Sequence, residues 1–202
     1  MNLYGYEITV NDDHFIIDEK IVNFVKNNLT ENRYNHSYSV AILCYEIAIK
    51  NNLKDPLKYF LLGFLHDVGK YTNDEKSIKI MKKYFKEYLN LPSYTYHSFV
   101  GSKMIEDELK INDEEFLEAI MFHTTGNSNL SDLAIVLFAA DKIEPTRKYN
   151  SYDLILKMFK NYKVGFKDVL IEVNKFLKAQ NCEDNELSKS MYKFYIKDGE
   201  MN

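Results

Sequence analysis

The chain has no tryptophan, only two cysteines, three prolines and seven glycines among its 202 residues. So little turn and breaker material argues against a protein built from many short strands and for long helices. Cys44 and Cys182 lie far apart in the sequence, and a predicted helix carries Cys44 on its apolar face. Two such cysteines argue against a disulfide framework and fit a reducing cytosol, the expected location. No apolar run reaches membrane-spanning length, and the N-terminus lacks the charged-then-apolar pattern of a secretory signal. Charge of one sign is not in excess either: the formal net charge is −4, with Lys and Arg scattered. That balance predicts neither a nucleic-acid footprint nor a membrane-binding patch, while a locally basic nucleotide site stays compatible with it. What is present is 46% hydrophobic content, enough for one substantial core.

Strand-like alternation is confined to residues 1–17, where Tyr4, Tyr6, Ile8 and Val10 precede Phe15, Ile16 and Ile17. It predicts a short hairpin or an extended arm, with His14 as a surface histidine. From Asp18 onward the periodicity is helical. Helices are expected over 19–29, over 31–51 after Thr30 as N-cap, and over 56–68 after Asp55-Pro56. Others follow over 74–89, 95–109 and 113–123, the last opened by a capping-box-like Asn112 and Glu115. Ser131 caps a helix over 132–143 that Pro145 closes, and further helices fill 151–196. The expectation is a single all-α domain over 18–202 with its core in 28–150.

Within the third helix, seven uncharged residues from Tyr59 to Leu65 run straight into His66 and Asp67. So apolar a helix is buried, and an ionised carboxylate at its end is costly unless compensated. The other candidates share this inward orientation. His36 lies on the face of Val40, Leu43 and Ile47, and His97 on that of Val100, Gly101, Met104 and Ile105. His123 ends the face of Phe116, Ala119 and Ile120, and Asp141 that of Leu133, Ala134, Leu137 and Phe138. One inward histidine is usually a satisfied core residue. Four of five histidines and two aspartates on inward faces would have to satisfy one another, or hold a cation. As ligands they form a nitrogen and oxygen set without thiolate, suited to Fe, Mn, Zn, Co or Ni and unlike a structural zinc site. Six ligands exceed the need of one catalytic metal and suit two, a pairing that fits phosphoryl transfer.

His36, His66-Asp67 and Asp141 resemble the signature of the HD-domain metal-dependent phosphohydrolases, a family of helical bundles. His97 and His123 resemble its two-metal version. More specifically, His66-Asp67-Val68-Gly69-Lys70, Phe122-His123-Thr124-Thr125-Gly126 and Ala140-Asp141-Lys142-Ile143-Glu144-Pro145-Thr146-Arg147 resemble the bacterial symmetrical diadenosine tetraphosphate hydrolases. The resemblance covers roughly 28–150. It implies two metal ions, iron foremost, with Mn, Co, Zn, Ni or Mg as alternatives. One would be held by His36, His66, Asp67 and Asp141, the other by His97, His123 and a bridging Asp67. Metal-bound hydroxide would attack an inner phosphorus and release two ADP. Lys70 is then a catalytic cation, and Arg33, Lys70, Thr124, Thr125, Gly126 and Arg147 are the expected substrate contacts. Val68-Gly69 and Thr146 depart from the family's common residues, and the match is poor after residue 150.

No Gly-Tyr-Pro segment of the cyclic-dinucleotide phosphodiesterases occurs, and Gly69-Lys70 replaces the acidic residues of guanosine tetraphosphate hydrolases. The competing readings are a nucleotidase on the same scaffold and a metal- or nucleotide-sensing module without turnover. Tyr34, Tyr38, Tyr94 and Tyr96 flank the ligands, where core packing is the favoured role and adenine stacking the other. Monomer and homodimer are both compatible with the sequence.

Overall fold

In the computed structural model, which describes residues 1–11, 14–147, 150–180 and 185–196, the N-terminal alternation becomes an antiparallel sheet of three strands. These are β1 (Asn2–Leu3), β2 (Tyr6–Asn11) and β3 (His14–Ile17), paired in that order. Tyr4 and Gly5 join β1 to β2 with positive φ at both positions, the conformation that matches a two-residue hairpin to strand twist. Ile8 is wholly buried and Phe15 stacks on Phe60 at 4.0 Å between ring centres, so the sheet lies against the helices; His14 is exposed. Cys182 falls outside the described residues, and Cys44 is a buried free thiol.

Ten α-helices follow among the described residues. They are α1 (Glu19–Asn28), α2 (Glu31–Lys50), α3 (Pro56–Leu65), α4 (Asp74–Tyr84) and α5 (Tyr96–Leu109), then α6 (Glu114–Phe122), α7 (Asp132–Ile143), α8 (Tyr152–Lys160), α9 (Tyr162–Ala179) and α10 (Glu186–Tyr195). Ser131 caps α7 as expected, its side chain accepting from the Ala134 N–H. Other expected caps shift. Asp113 rather than Asn112 caps α6, accepting from Phe116, and Thr30 precedes α2 with its hydroxyl against Tyr71 instead of a backbone N–H. Asp55 precedes Pro56 in a left-handed conformation without a cap bond. The helix expected over 74–89 stops at Tyr84, because Phe85 and Tyr88 turn inward onto Phe99.

The helix expected to reach residue 68 ends at Leu65, and residues 66–71 tighten into turns. Glycine permits this. A Cβ on Gly69 would lie 2.6 Å from the Gly101 N and collide with the His97 carbonyl, so only glycine lets this turn reach α5. Gly63 serves the α2–α3 contact likewise, since a Cβ there would sit 2.7 Å from Ala41 Cα. At the centre runs α7, buried from Leu133 through Asp141, with α2, α3, α6 and α9 around it. Among the described helices none is long and apolar enough to cross a membrane.

Asp113 ties the sheet to this bundle. It caps α6, accepts from the Tyr4 hydroxyl at 2.6 Å and pairs with Lys58 at 2.7 Å. Burial raises its pKa, but these donors outweigh that and leave it lowered. A carboxylate with a depressed folded pKa stabilises above its unfolded value and loses that contribution as pH falls through the folded one. Asp113→Ala is expected to cost about 1–2 kcal/mol at neutral pH. In thermal melts, the gap from the unsubstituted protein should close as the pH falls below about 3.9.

Candidate metal centre

Five elements deliver the six inward groups to one place. His36 comes from α2, His66 and Asp67 from the end of α3, His97 from α5, His123 from the end of α6 and Asp141 from α7. All six are buried, His66 completely. Three overlapping sets have ligand atoms within 4.8 Å of one another: His36, His66 and Asp67; His66, His123 and Asp141; and Asp67, His97 and His123. Asp67 divides its oxygens between two histidine pairs. Its Oδ1 lies 3.3 Å from His97 Nε2 and 3.6 Å from His123 Nε2, whereas Oδ2 lies 3.3 Å from His66 Nε2 and 3.9 Å from His36 Nε2. Asp141 sides with the second pair, its Oδ1 being 3.1 Å from His36 Nε2 and 3.7 Å from His66 Nε2.

Each imidazole is aimed by its other nitrogen. Nδ1 of His66 donates to the Gly63 carbonyl, that of His97 to Tyr94 and that of His123 to Ile120, at 2.7, 2.8 and 2.7 Å. Every acceptor is the carbonyl three residues earlier. For His66 and His123 it belongs to the last turn of a helix, where carbonyls lack intrahelical partners. A carbonyl only accepts, so Nδ1 carries a proton, and Nε2 is the atom that each ring turns toward the centre. His36 differs, because its Nδ1 donates to the Glu144 carboxylate at 3.0 Å. Glu144 is wholly buried, and hydrogen bonds from His36 and Thr146 overcome its burial and bring its pKa to about 2.

The electrostatics call for positive charge. Burial pushes the His66 pKa down, yet Asp67 and Asp141 outweigh it and raise it to about 9. His123 goes to about 4, lowered by burial and by His66 and His97 against the pull of Asp67. Both aspartates are held well below the ordinary range despite burial, Asp67 chiefly by His66 and Asp141 chiefly by Lys142. Nε2 of His66 is buried and makes no well-directed hydrogen bond, although Asp67 Oδ2 stands 3.3 Å away, a costly state that a cation coordinated there would relieve. Four imidazoles and two carboxylates without a thiolate are donors of the kind that hold Fe, Mn or Zn in hydrolytic centres. The residues fit a metal.

Cations ring the carboxylates. Arg33 Nη1 lies 2.9 Å from Asp67 Oδ2, Lys142 Nζ 2.6 Å from Asp141 Oδ2 and Arg147 Nη2 2.7 Å from Asp141 Oδ1. Nη2 of Arg147 also donates to the Asp141 carbonyl. Lys70 Nζ stands 3.5 Å from His97 Nε2, its pKa lowered by burial and by Arg33 and Lys142 against the two aspartates. The Thr124 hydroxyl lies 3.2 Å from His97 Nε2 and 3.1 Å from His123 Nε2. Thr125 and Gly126 are turned elsewhere. The Thr125 hydroxyl donates to the Gly126 carbonyl, the Thr125 carbonyl accepts from Ser188 of α10, and the Gly126 N–H is taken by Phe122. Sequence reasoning passed over Glu144 and Lys142. Glu144 follows Asp141 by three residues and so shares its side of α7, the spacing that would have flagged it.

The HD domain model matches residues 33–146. The symmetrical bis(5'-nucleosyl)-tetraphosphatase of Staphylococcus aureus is 34% identical over 173 residues, covering 81% of this chain and 89% of that protein. The protein of the same name from Bacillus subtilis is 31% identical over 142 residues, covering 69% of this chain and 76% of its own. A Clostridium acetobutylicum crystal structure, described as a "predicted HD superfamily hydrolase involved in NAD metabolism", superposes with a TM-score of 0.78 at 29% identity. It covers 88% of this chain and 96% of that one. A buried histidine–aspartate cluster on this helical scaffold, matched by these relatives, means that the chain belongs to the HD-domain family, alongside the symmetrical bis(5'-nucleosyl)-tetraphosphatases.

Proposed function

We propose that this protein hydrolyses diadenosine tetraphosphate symmetrically in the cytosol. Water oxygen bonds to one inner phosphorus, the bridging oxygen leaves with the other, and two ADP result. Two metal ions, iron foremost, belong to this reading. His36, His66, Asp67 and Asp141 would hold one, and His97, His123 and Asp67 the other. The observation that carries it is the division of the Asp67 oxygens between two histidine pairs, which suits a bridging carboxylate. Metal bound there would supply Lewis acidity, easing deprotonation of water and offsetting phosphate charge. Residues 18–202 act in this reading as one HD-type helical domain, with 1–17 as its N-terminal hairpin sheet.

The chain's own groups do the holding and aiming. The Nδ1 hydrogen bonds to Gly63, Tyr94, Ile120 and Glu144 fix the ring planes, so little reorientation is needed on binding. Arg33, Lys142 and Arg147 neutralise the aspartates from the solvent side, where a polyphosphate would approach, and Lys70 adds a cation beside His97. Arginine pairs with phosphate oxygens bidentately and lysine as a point charge, so these four and the Thr124 hydroxyl form the phosphate-binding set. Lys70, placed beside His97, is the cation nearest the second histidine pair.

Chromatography of products from metal-loaded protein and diadenosine tetraphosphate should show ADP alone; AMP with ATP would mean attack at an outer phosphorus and end this reading. By elemental analysis, His97→Ala should lose one metal ion and most activity, and Asp67→Ala both ions. Unchanged stoichiometry in the two variants rules out the dinuclear assignment. Glu144→Ala should weaken metal affinity by about 10–100-fold, with Glu144→Gln recovering much of it, because the amide oxygen still accepts from His36. Titration with a chelator reads this directly, and equal losses in both variants would show that the carboxylate charge, not the orientation, matters.

A further inference from the structure

Beside the metal centre, α7, α8, α9 and α10 enclose a cavity of about 1010 Å³. Its walls are largely aliphatic and aromatic, including Phe138, Leu154, Val169, Val173 and Met191. It shares Thr124, Lys142 and Arg147 with the metal centre, so the two adjoin. Size, largely apolar walls and a minority of polar groups, here Glu172, Lys175, Asn185 and Ser188 besides the three shared with the centre, are the usual attributes of a small-molecule site. Two aromatic side chains also line it while standing largely in water: Tyr94 is 63% exposed and Phe176 is 64% exposed. A flat heteroaromatic ring laid on them would remove that surface from water. A smaller groove of about 500 Å³, containing Tyr34 and Tyr38, has no lysine or arginine in its lining.

We infer that this cavity receives one nucleoside of the substrate, with Tyr94 and Phe176 against the base and Lys142 and Arg147 on the adjoining phosphates. The inference rests on reading the centre as a nucleotide phosphohydrolase. It gives the C-terminal helices a role in choosing the substrate. The phosphate chain would leave the cavity past Thr124, which places its inner phosphates over the histidine cluster. The apolar walls contribute shape, and the cations contribute the direction in which the ligand lies.

The test is calorimetric binding of ADP and of inorganic pyrophosphate to metal-loaded protein and three variants. Phe176→Ala and Tyr94→Ala trim exposed side chains, so the fold is not at stake; Val173→Trp puts a bulky ring into the cavity wall. Each trimmed variant should weaken ADP binding by about fivefold, and Val173→Trp by more than about tenfold. Pyrophosphate affinity and metal content should stay unchanged in all three. ADP affinity within twofold of the unsubstituted protein in both trimmed variants would overturn the inference, as would a parallel loss of pyrophosphate binding. Turnover of diadenosine tetraphosphate by the unsubstituted protein separates the two readings. If it is cleaved to ADP while the variants bind ADP normally, the cavity assignment fails and the activity stands. If it is not cleaved while the variants lose ADP selectively, the activity assignment fails and the nucleoside site stands.

Discussion

Two carboxylates and four imidazoles buried together can persist only if positive charge is supplied among them. Asp67 and Asp141 are almost shut off from water, and an isolated buried carboxylate would rather take up a proton than stay ionised. Here both remain strongly acidic because imidazoles and cationic side chains stand against them. The same demand raises His66 far above an ordinary histidine. Charge compensation therefore governs the whole interior arrangement. It requires several helix ends to converge, and convergence requires glycine where backbones nearly touch, at Gly63 against α2 and Gly69 against α5.

Phosphate chemistry follows from this economy of charge. The cations that neutralise the aspartates are the groups a polyanion would recruit, so structural and ligand-binding roles fall on the same side chains. Arg33 and Arg147 are partly exposed, while the carboxylates they face are not. Each arginine thus reaches from solvent to buried charge, a position from which one guanidinium can meet both a protein oxygen and a phosphate oxygen.

Much of this was legible in the sequence because helical spacing reveals which polar groups face inward. His36, His66, Asp67, His97, His123 and Asp141 were all readable from their apolar neighbours, and each is buried. Local geometry beyond a helix end was less legible. The chain after Leu65 tightens at a glycine for the sake of a contact with α5, a constraint that lies about thirty positions away in the sequence. Thr125 and Gly126 followed His123 in a polar loop, and the sequence there did not show that the Thr125 carbonyl accepts from Ser188 of α10, sixty-three positions later. Glu144 was visible as part of a motif and silent as to role, since its partner is on α2. The cavity left no sequence signal at all, because it is the space between four helices rather than a property of any one.

The aiming of the histidines has a consequence for how the centre is assembled. For His66, His97 and His123 the orienting carbonyl is three residues away, so each ring acquires its direction as soon as its own turn forms. His36 obtains its direction from Glu144, 108 positions later in the chain. The aim of three imidazoles is therefore local to their own turns, whereas that of the fourth depends on tertiary packing. Loosening the docking of α7 against α2 would thus misdirect His36 and leave the other three rings aimed.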